Sequence, residues 1–158
     1  MCFWIRLTSI TRFDVFICNC DRIGYGWRFW SADLNEIDRA MWFSTRNTSA
    51  NNNAVSAAMA LNEWVFVAGV CSSAGLKNTV YINAVSEGET DYDTIEYSSG
   101  SPVNRAMISD MPYNDEATTF RGRLLRGVIN DIRIFNKALS ETEISAIFNA
   151  TKGFYGIT

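Results

Sequence analysis

Three groups of residues in this 158-residue chain have the types and spacing to do chemistry. The segment Asp110-Met-Pro-Tyr-Asn-Asp-Glu116 gathers Asp110, Asn114, Asp115 and Glu116. Calcium takes about six to eight oxygen ligands, so carboxylates and an amide on one loop suit it. These four are the candidate metal ligands, and calcium is the one cofactor the sequence suggests. The segment Glu89-Thr-Asp-Tyr-Asp93 puts Glu89, Asp91 and Asp93 on one face of an extended chain, roughly 6–7 Å apart per step. A retaining glycosidase needs two carboxyls about 5–5.5 Å apart, with an apolar neighbour raising the pKa of the acid. The stretch fits an acidic, solvated strand edge better, and no catalytic centre is expected. The third group is aromatic. Sugars stack their C–H faces on rings while their hydroxyls seek donors and acceptors. Trp30, Trp42, Tyr92, Tyr97 and Tyr113 are the candidate platform residues, and Trp4, Trp27 and Trp64 are expected in the core.

Composition removes several chemistries. The chain has no histidine, which excludes Ser-His and Cys-His catalysis and histidine-ligated zinc. Its four cysteines lack CxxC spacing, and Cys18 and Cys20 share a strand face, so all four are expected to act as small hydrophobes. A net charge of −3 offers no footprint for nucleic acid. No apolar run approaches the roughly 20 residues of a membrane span. Arg6 and Arg12 interrupt any signal-peptide core, so the chain is expected to be cytosolic, assembled into a particle, or cut from a longer secreted protein. Asn47-Thr-Ser49 and Asn149-Ala-Thr151 match glycosylation acceptors, which matters only in a eukaryotic secretory context.

The elements that must position these residues are strands. At 158 residues, 47% hydrophobic and 13% aromatic, the chain is one well-packed domain. Alternation predicts strands at Cys2–Leu7, Asp14–Cys20, Gly26–Ala32, Ala40–Thr45, Leu61–Cys71, Asn78–Val85 and Asn104–Ser109, with Leu61–Cys71 central. Asn47–Asn53, Asp33–Asp38 and Asp110–Thr119 have loop composition. The chain closes on a strand at Val128–Phe135 and then a short helix. Ser140 and Glu143 form a capping box, and Ile144, Ile147 and Phe148 give the helix one apolar stripe.

That closing stretch, Gly127-Val-Ile-Asn-Asp-Ile-Arg-Ile-Phe-Asn-Lys-Ala-Leu-Ser140, resembles the end of laminin-G-like, concanavalin A-like jelly rolls, the superfamily that includes the pentraxins. Asn130 stands where aspartate is usual. Asn62-Glu-Trp-Val-Phe-Val-Ala-Gly69, Thr79-Val-Tyr-Ile-Asn-Ala84 and Phe3-Trp-Ile-Arg-Leu7 are similar to further strands of that family. The resemblance implies an all-β, antiparallel two-sheet sandwich with one short helix near the C-terminus. It implies recognition of a glycan or a protein surface, as in lectins and adhesion modules. The alternatives are an assembly module of a virion or other surface particle, and a glycosidase remnant, although the laminarinase-like acidic motif is only partly matched. In pentraxins the loop before the closing strand supplies calcium ligands, but Arg121 stands where they carry an acid. Asp131 could join a structural ion only with a partner on an additional N-terminal strand that these domains usually carry. Without that strand, the edge beside Val128–Phe135 is expected to be covered, either by Gly153–Thr158 folding back as a short strand or by a second copy of the chain.

Overall fold

A computed structural model describes residues 1–10, 14–20, 26–31, 39–46, 51–92, 106–109 and 124–158. The strands among them are β1 (Cys2–Leu7), β2 (Val15–Cys20), β3 (Gly26–Ser31), β4 (Ala40–Arg46), β5 (Asn51–Ala58), β6 (Trp64–Ser72), β7 (Lys77–Ile82), β8 (Val85–Asp91), β9 (Ala106–Ile108) and β10 (Gly127–Arg133). They form two five-stranded sheets, ordered β10-β1-β6-β7-β8 and β5-β4-β3-β2-β9. Every pairing is antiparallel. The expected all-β sandwich is therefore present, with β6 at the centre of the first sheet.

One face of each sheet makes the core, as the alternation requires. Phe3, Ile5 and Leu7 of β1 and Val65 and Val67 of β6 meet Phe16, Phe29, Met41, Phe43 and Ala54 of the second sheet. Gly69 leaves room for the rings opposite, because a Cβ there would lie 2.5 Å from Phe29 and 2.6 Å from Phe43. The buried Asn78 ties the sheets together, its Nδ2 donating to Thr45 Oγ1 at 2.6 Å and to the Asn52 carbonyl at 3.2 Å.

The outer face of the first sheet lies under the one α-helix among the described residues, α1 (Glu141–Thr151). Trp4, Phe66, Ala68 and Tyr81 pack there against Leu139, Ile144, Ile147 and Phe148. The Trp4 indole donates to Thr151 Oγ1 at 3.0 Å. Trp4 is thus fully buried, but between sheet and helix and not between the sheets. Trp64 is half-buried on the same outer face, and Trp27 half-buried against the inter-sheet core. The capping box is formed as the sequence indicates: Glu143 N–H donates to Ser140 Oγ, and Ser140 N–H donates to the Glu143 carboxylate.

Two expectations are corrected. The asparagine run is not all loop, since Asn51, Asn52 and Asn53 open β5 and pair with Arg46, Thr45 and Ser44. Turn composition yields here to strand pairing, because asparagine backbone groups join the ladder and Asn53 Oδ1 accepts from Ser44 Oγ at 2.6 Å. The segment Gly153–Thr158 does not add a strand beside β10. It enters a 3-10 turn over Lys152–Tyr155, and Tyr155 stacks on Trp4 with ring centroids 4.2 Å apart. Its aromatic surface is buried better against Trp4 than along a backbone edge. Among the described residues β10 pairs with β1 alone. The expected loops at 33–38 and 47–50 lie outside the described residues.

Candidate functional site

The outer face of the second sheet has no helix over it among the described residues, and its side chains are of mixed character. Trp30 and Trp42 face each other in register on β3 and β4. Their ring centroids are 4.8 Å apart at an interplanar angle of 79°. Both candidate platform residues are buried, at 8% and 6% exposure, among Val15, Cys18 and Ala40. Two residues before Trp30, on the same face, the buried Arg28 holds its guanidinium 4.4 Å from the Trp30 ring centroid. Trp30 Nε1 donates to Ser44 Oγ at 2.5 Å, and that hydroxyl donates to Asn53 Oδ1. Trp42 Nε1 is buried and finds no acceptor among the described residues. A donor shut away from water without a partner costs about 1–3 kcal/mol, so it is an unusual feature for a surface that only has to pack.

The other sequence candidates do not converge here. Tyr92 follows β8 and lies against Cys71 of the first sheet; burial, and then its hydrogen bond with the Cys71 thiol, push its phenol up to about 12. Tyr97, Tyr113, Asp110, Asn114, Asp115 and Glu116 lie outside the described residues, as does Asp93. Glu89 and Asp91 stand on β8, at the edge of the first sheet, and both pair with Lys77, at 2.7 and 2.8 Å. Those contacts raise the Lys77 pKa, Asp91 contributing most. Both carboxylates are exposed and charge-paired, the reverse of the environment that keeps a catalytic acid protonated. Asp131 occupies a bulge of β10 with φ 49° and chelates Arg133 through two hydrogen bonds of 2.8 Å. Its carboxylate is thereby engaged within its own strand. Among the described residues no group of three or more His, Cys, Asp or Glu side chains is placed to hold a metal ion. Cys2, Cys18 and Cys71 pack among apolar side chains.

Arg28, Ser44 and Asn53 were not singled out in the sequence, although they carry most of the polar character of this face. The available signal was parity: Arg28 lies two residues from Trp30, and Ser44 two from Trp42. Asn53 was hidden because its strand was not recognised.

A two-sheet antiparallel sandwich with a C-terminal helix on one sheet and an aromatic-polar face on the other defines the class as a concanavalin A-like jelly roll. A family model described as the concanavalin A-like lectin/glucanases superfamily matches residues 1–145, and the chain belongs to that superfamily. No curated protein matches the chain. Among solved structures, a Bacteroides ovatus protein with a proposed carbohydrate-binding role superposes with a TM-score of 0.69 at 13% identity over 91% of this chain. The chain spans only 38% of that protein. A heptameric SAP-like pentraxin from Limulus polyphemus gives 0.64 at 15% identity, covering 93% of this chain and 67% of the pentraxin. The CBM40 of a Ruminococcus gnavus IT-sialidase, bound to α2,3-sialyllactose, gives 0.63 at 14% identity, covering 93% of this chain and 80% of the module. At these identities the likeness establishes the fold. No helix among the described residues is long and apolar enough to cross a membrane.

Proposed function

We propose that the chain is a non-catalytic glycan-recognition module, a lectin or adhesion domain, whose site is the Trp30–Trp42 face of the second sheet. The observation that carries this reading is the buried polar set on that face: Arg28 over Trp30, the Trp30–Ser44–Asn53 chain, and the Trp42 N–H without an acceptor. A face that only needed covering is more stable when apolar, because each buried polar group must recover its lost hydration. Rings flanked by a guanidinium, an amide and a free N–H suit a sugar, which presents apolar C–H faces and hydroxyls together. Both indoles are buried, so a sugar that stacks on them must open this face. Carbohydrate binding among the structural neighbours supports the same reading. The module would then act outside the cell or on a particle surface, where glycans are displayed. Calcium held by Asp110, Asn114, Asp115 and Glu116 remains part of this proposal, and a rise in melting temperature on calcium addition that is lost in Asp115→Ala would support it.

The test is a glycan array, followed by NMR of the tryptophan indole N–H groups with any glycan retained. Saturable shifts of the Trp30 and Trp42 signals are expected. An array without a retained glycan, or shifts that spare both residues, would contradict the proposed site.

A second reading, as an assembly module, is favoured by the edge of β10, which pairs with β1 alone among the described residues and where Val128 and Ile132 are exposed at 45% and 38% and Ile134, just beyond, at 64%. An open backbone ladder beside apolar side chains recruits a further strand, and a second copy of this chain can supply one. Light scattering across a concentration series tests it: association is expected, and Ile132→Lys should abolish it.

A further inference from the structure

We propose that the first sheet carries a second saccharide-binding groove, at Trp64 and Tyr155, that takes a neutral hexose chain. It lies on the sheet opposite to the Trp30–Trp42 face and does not depend on that site. Beyond the edge of α1, the rings on the outer face of this sheet continue as a row. Phe148 stacks on Trp4 with centroids 5.8 Å apart, Trp4 stacks on Tyr155, and Tyr155 meets Trp64 at 4.9 Å and 58°. The helix buries the start of the row and leaves its end half-exposed. There a groove of 630 Å³ opens, lined by Arg6, Asn62, Glu63, Trp64, Asn83 and Tyr155 among others. That volume falls within the range of about 300–1,000 Å³ typical of small-ligand sites.

The walls of the groove hold unspent polar groups. Arg6 is the register partner of Trp64, and its guanidinium lies 5.6 Å from that ring's centroid. Glu63 precedes Trp64 and is exposed. Arg6 and Glu63 line the same groove, yet no ion pair joins them among the described residues, whereas at the other end of β7 Lys77 closes on Glu89 and Asp91. Asn83 Oδ1 accepts from Phe66 N–H at 3.0 Å, which fixes the amide and leaves its Nδ2 as a donor. The backbone holds this rim in place: Asn62 adopts φ 63° and donates its N–H to the Leu7 carbonyl at 2.7 Å, and Asn83 adopts φ 49° in the β7–β8 turn. Angled aromatic rings with one cationic donor, one anionic acceptor and two amides form a rim of no net charge. Such a rim matches a neutral polyol with an apolar face, and it offers an anionic sugar no more attraction than repulsion.

The test titrates the full chain with neutral hexaoses (β-1,4-gluco, β-1,3-gluco, α-1,4-gluco and β-1,4-manno) while NMR follows the five tryptophan indole N–H signals. A saturable shift of Trp64 is expected with at least one of them. Glu63→Gln and Arg6→Gln, both exposed and thus tolerable to the fold, should each weaken that binding about tenfold, the effect of losing one charge-assisted hydrogen bond. If none of the four sugars moves Trp64, or if its shift keeps full affinity in both variants, the proposal fails. Shifts confined to Trp30 and Trp42 would leave the first site standing and overturn this one.

Discussion

The two sheets cover their outer faces in opposite ways. Over the first sheet, α1 buries Trp4, Phe66 and Tyr81 under Ile144, Ile147 and Phe148, and the polar atom of the central ring is matched, Trp4 Nε1 to Thr151 Oγ1. On the second, Trp30 and Trp42 are also buried but share their surface with Arg28, Ser44 and Asn53, and the Trp42 N–H is unmatched among the described residues. Apolar cover with every donor satisfied is what stability alone requires. Polar groups retained in a buried aromatic patch impose a stability penalty that a ligand can offset, and this contrast underlies the proposal that the Trp30–Trp42 face recognises a glycan while the helix-covered part of the first sheet serves stability.

The largest expected effect lies on the helix-covered face. Trp4→Ala removes a fully buried indole and its hydrogen bond, and chemical denaturation should show a loss of about 3–5 kcal/mol. The fraction still folded should bind glycan normally through the Trp30–Trp42 face. Binding that falls in step with Trp4 would erase the division of labour. Ser140→Ala strips the cap from the covering helix and should cost about 0.5–2 kcal/mol in thermal unfolding. An unchanged midpoint would mean that the helix contributes little cover.

The smallest expected effect on that face is its response to acid. Lys137 first, and the Ser140 backbone second, hold the Glu143 carboxyl below its ordinary value. A depressed folded-state value contributes stability that is full above the ordinary carboxylate pKa and fades as pH falls through it. Parent and Glu143→Gln should therefore converge in melting temperature at low pH and differ at neutrality. A constant gap across the range would show that the capping box is insensitive to that proton.

Much of the architecture was legible because its causes are local. Strand alternation in the Phe3-Trp-Ile5 and Trp64-Val-Phe-Val67 runs, and the Ser140/Glu143 spacing, record which side chains face which way and where the helix starts. The candidate site was less legible because it is assembled by register. Arg28, Ser44 and Asn53 come together only through the β3–β4 and β4–β5 pairings, and no local spacing encodes which strands become neighbours. The asparagine run shows the same limit: its composition reads as a turn, and only the ladder with β4 makes it a strand. The path of the C-terminal tail was decided by Trp4, which lies about 150 residues away in sequence and offers a ring for Tyr155 to stack on.

The most direct measurement is Trp42→Phe, scored for stability and for glycan retention in the same preparation. The substitution keeps an aromatic ring and deletes the one buried indole donor on this face that has no acceptor. Removing an unsatisfied donor regains about 1–3 kcal/mol, which offsets much of the packing lost with the smaller ring. The expected result is a melting temperature within a few degrees of the parent, together with at least a tenfold loss of affinity for the glycan that the parent retains. A variant that keeps full affinity, or one that loses stability and affinity in the same proportion, would contradict the assignment of recognition to this face.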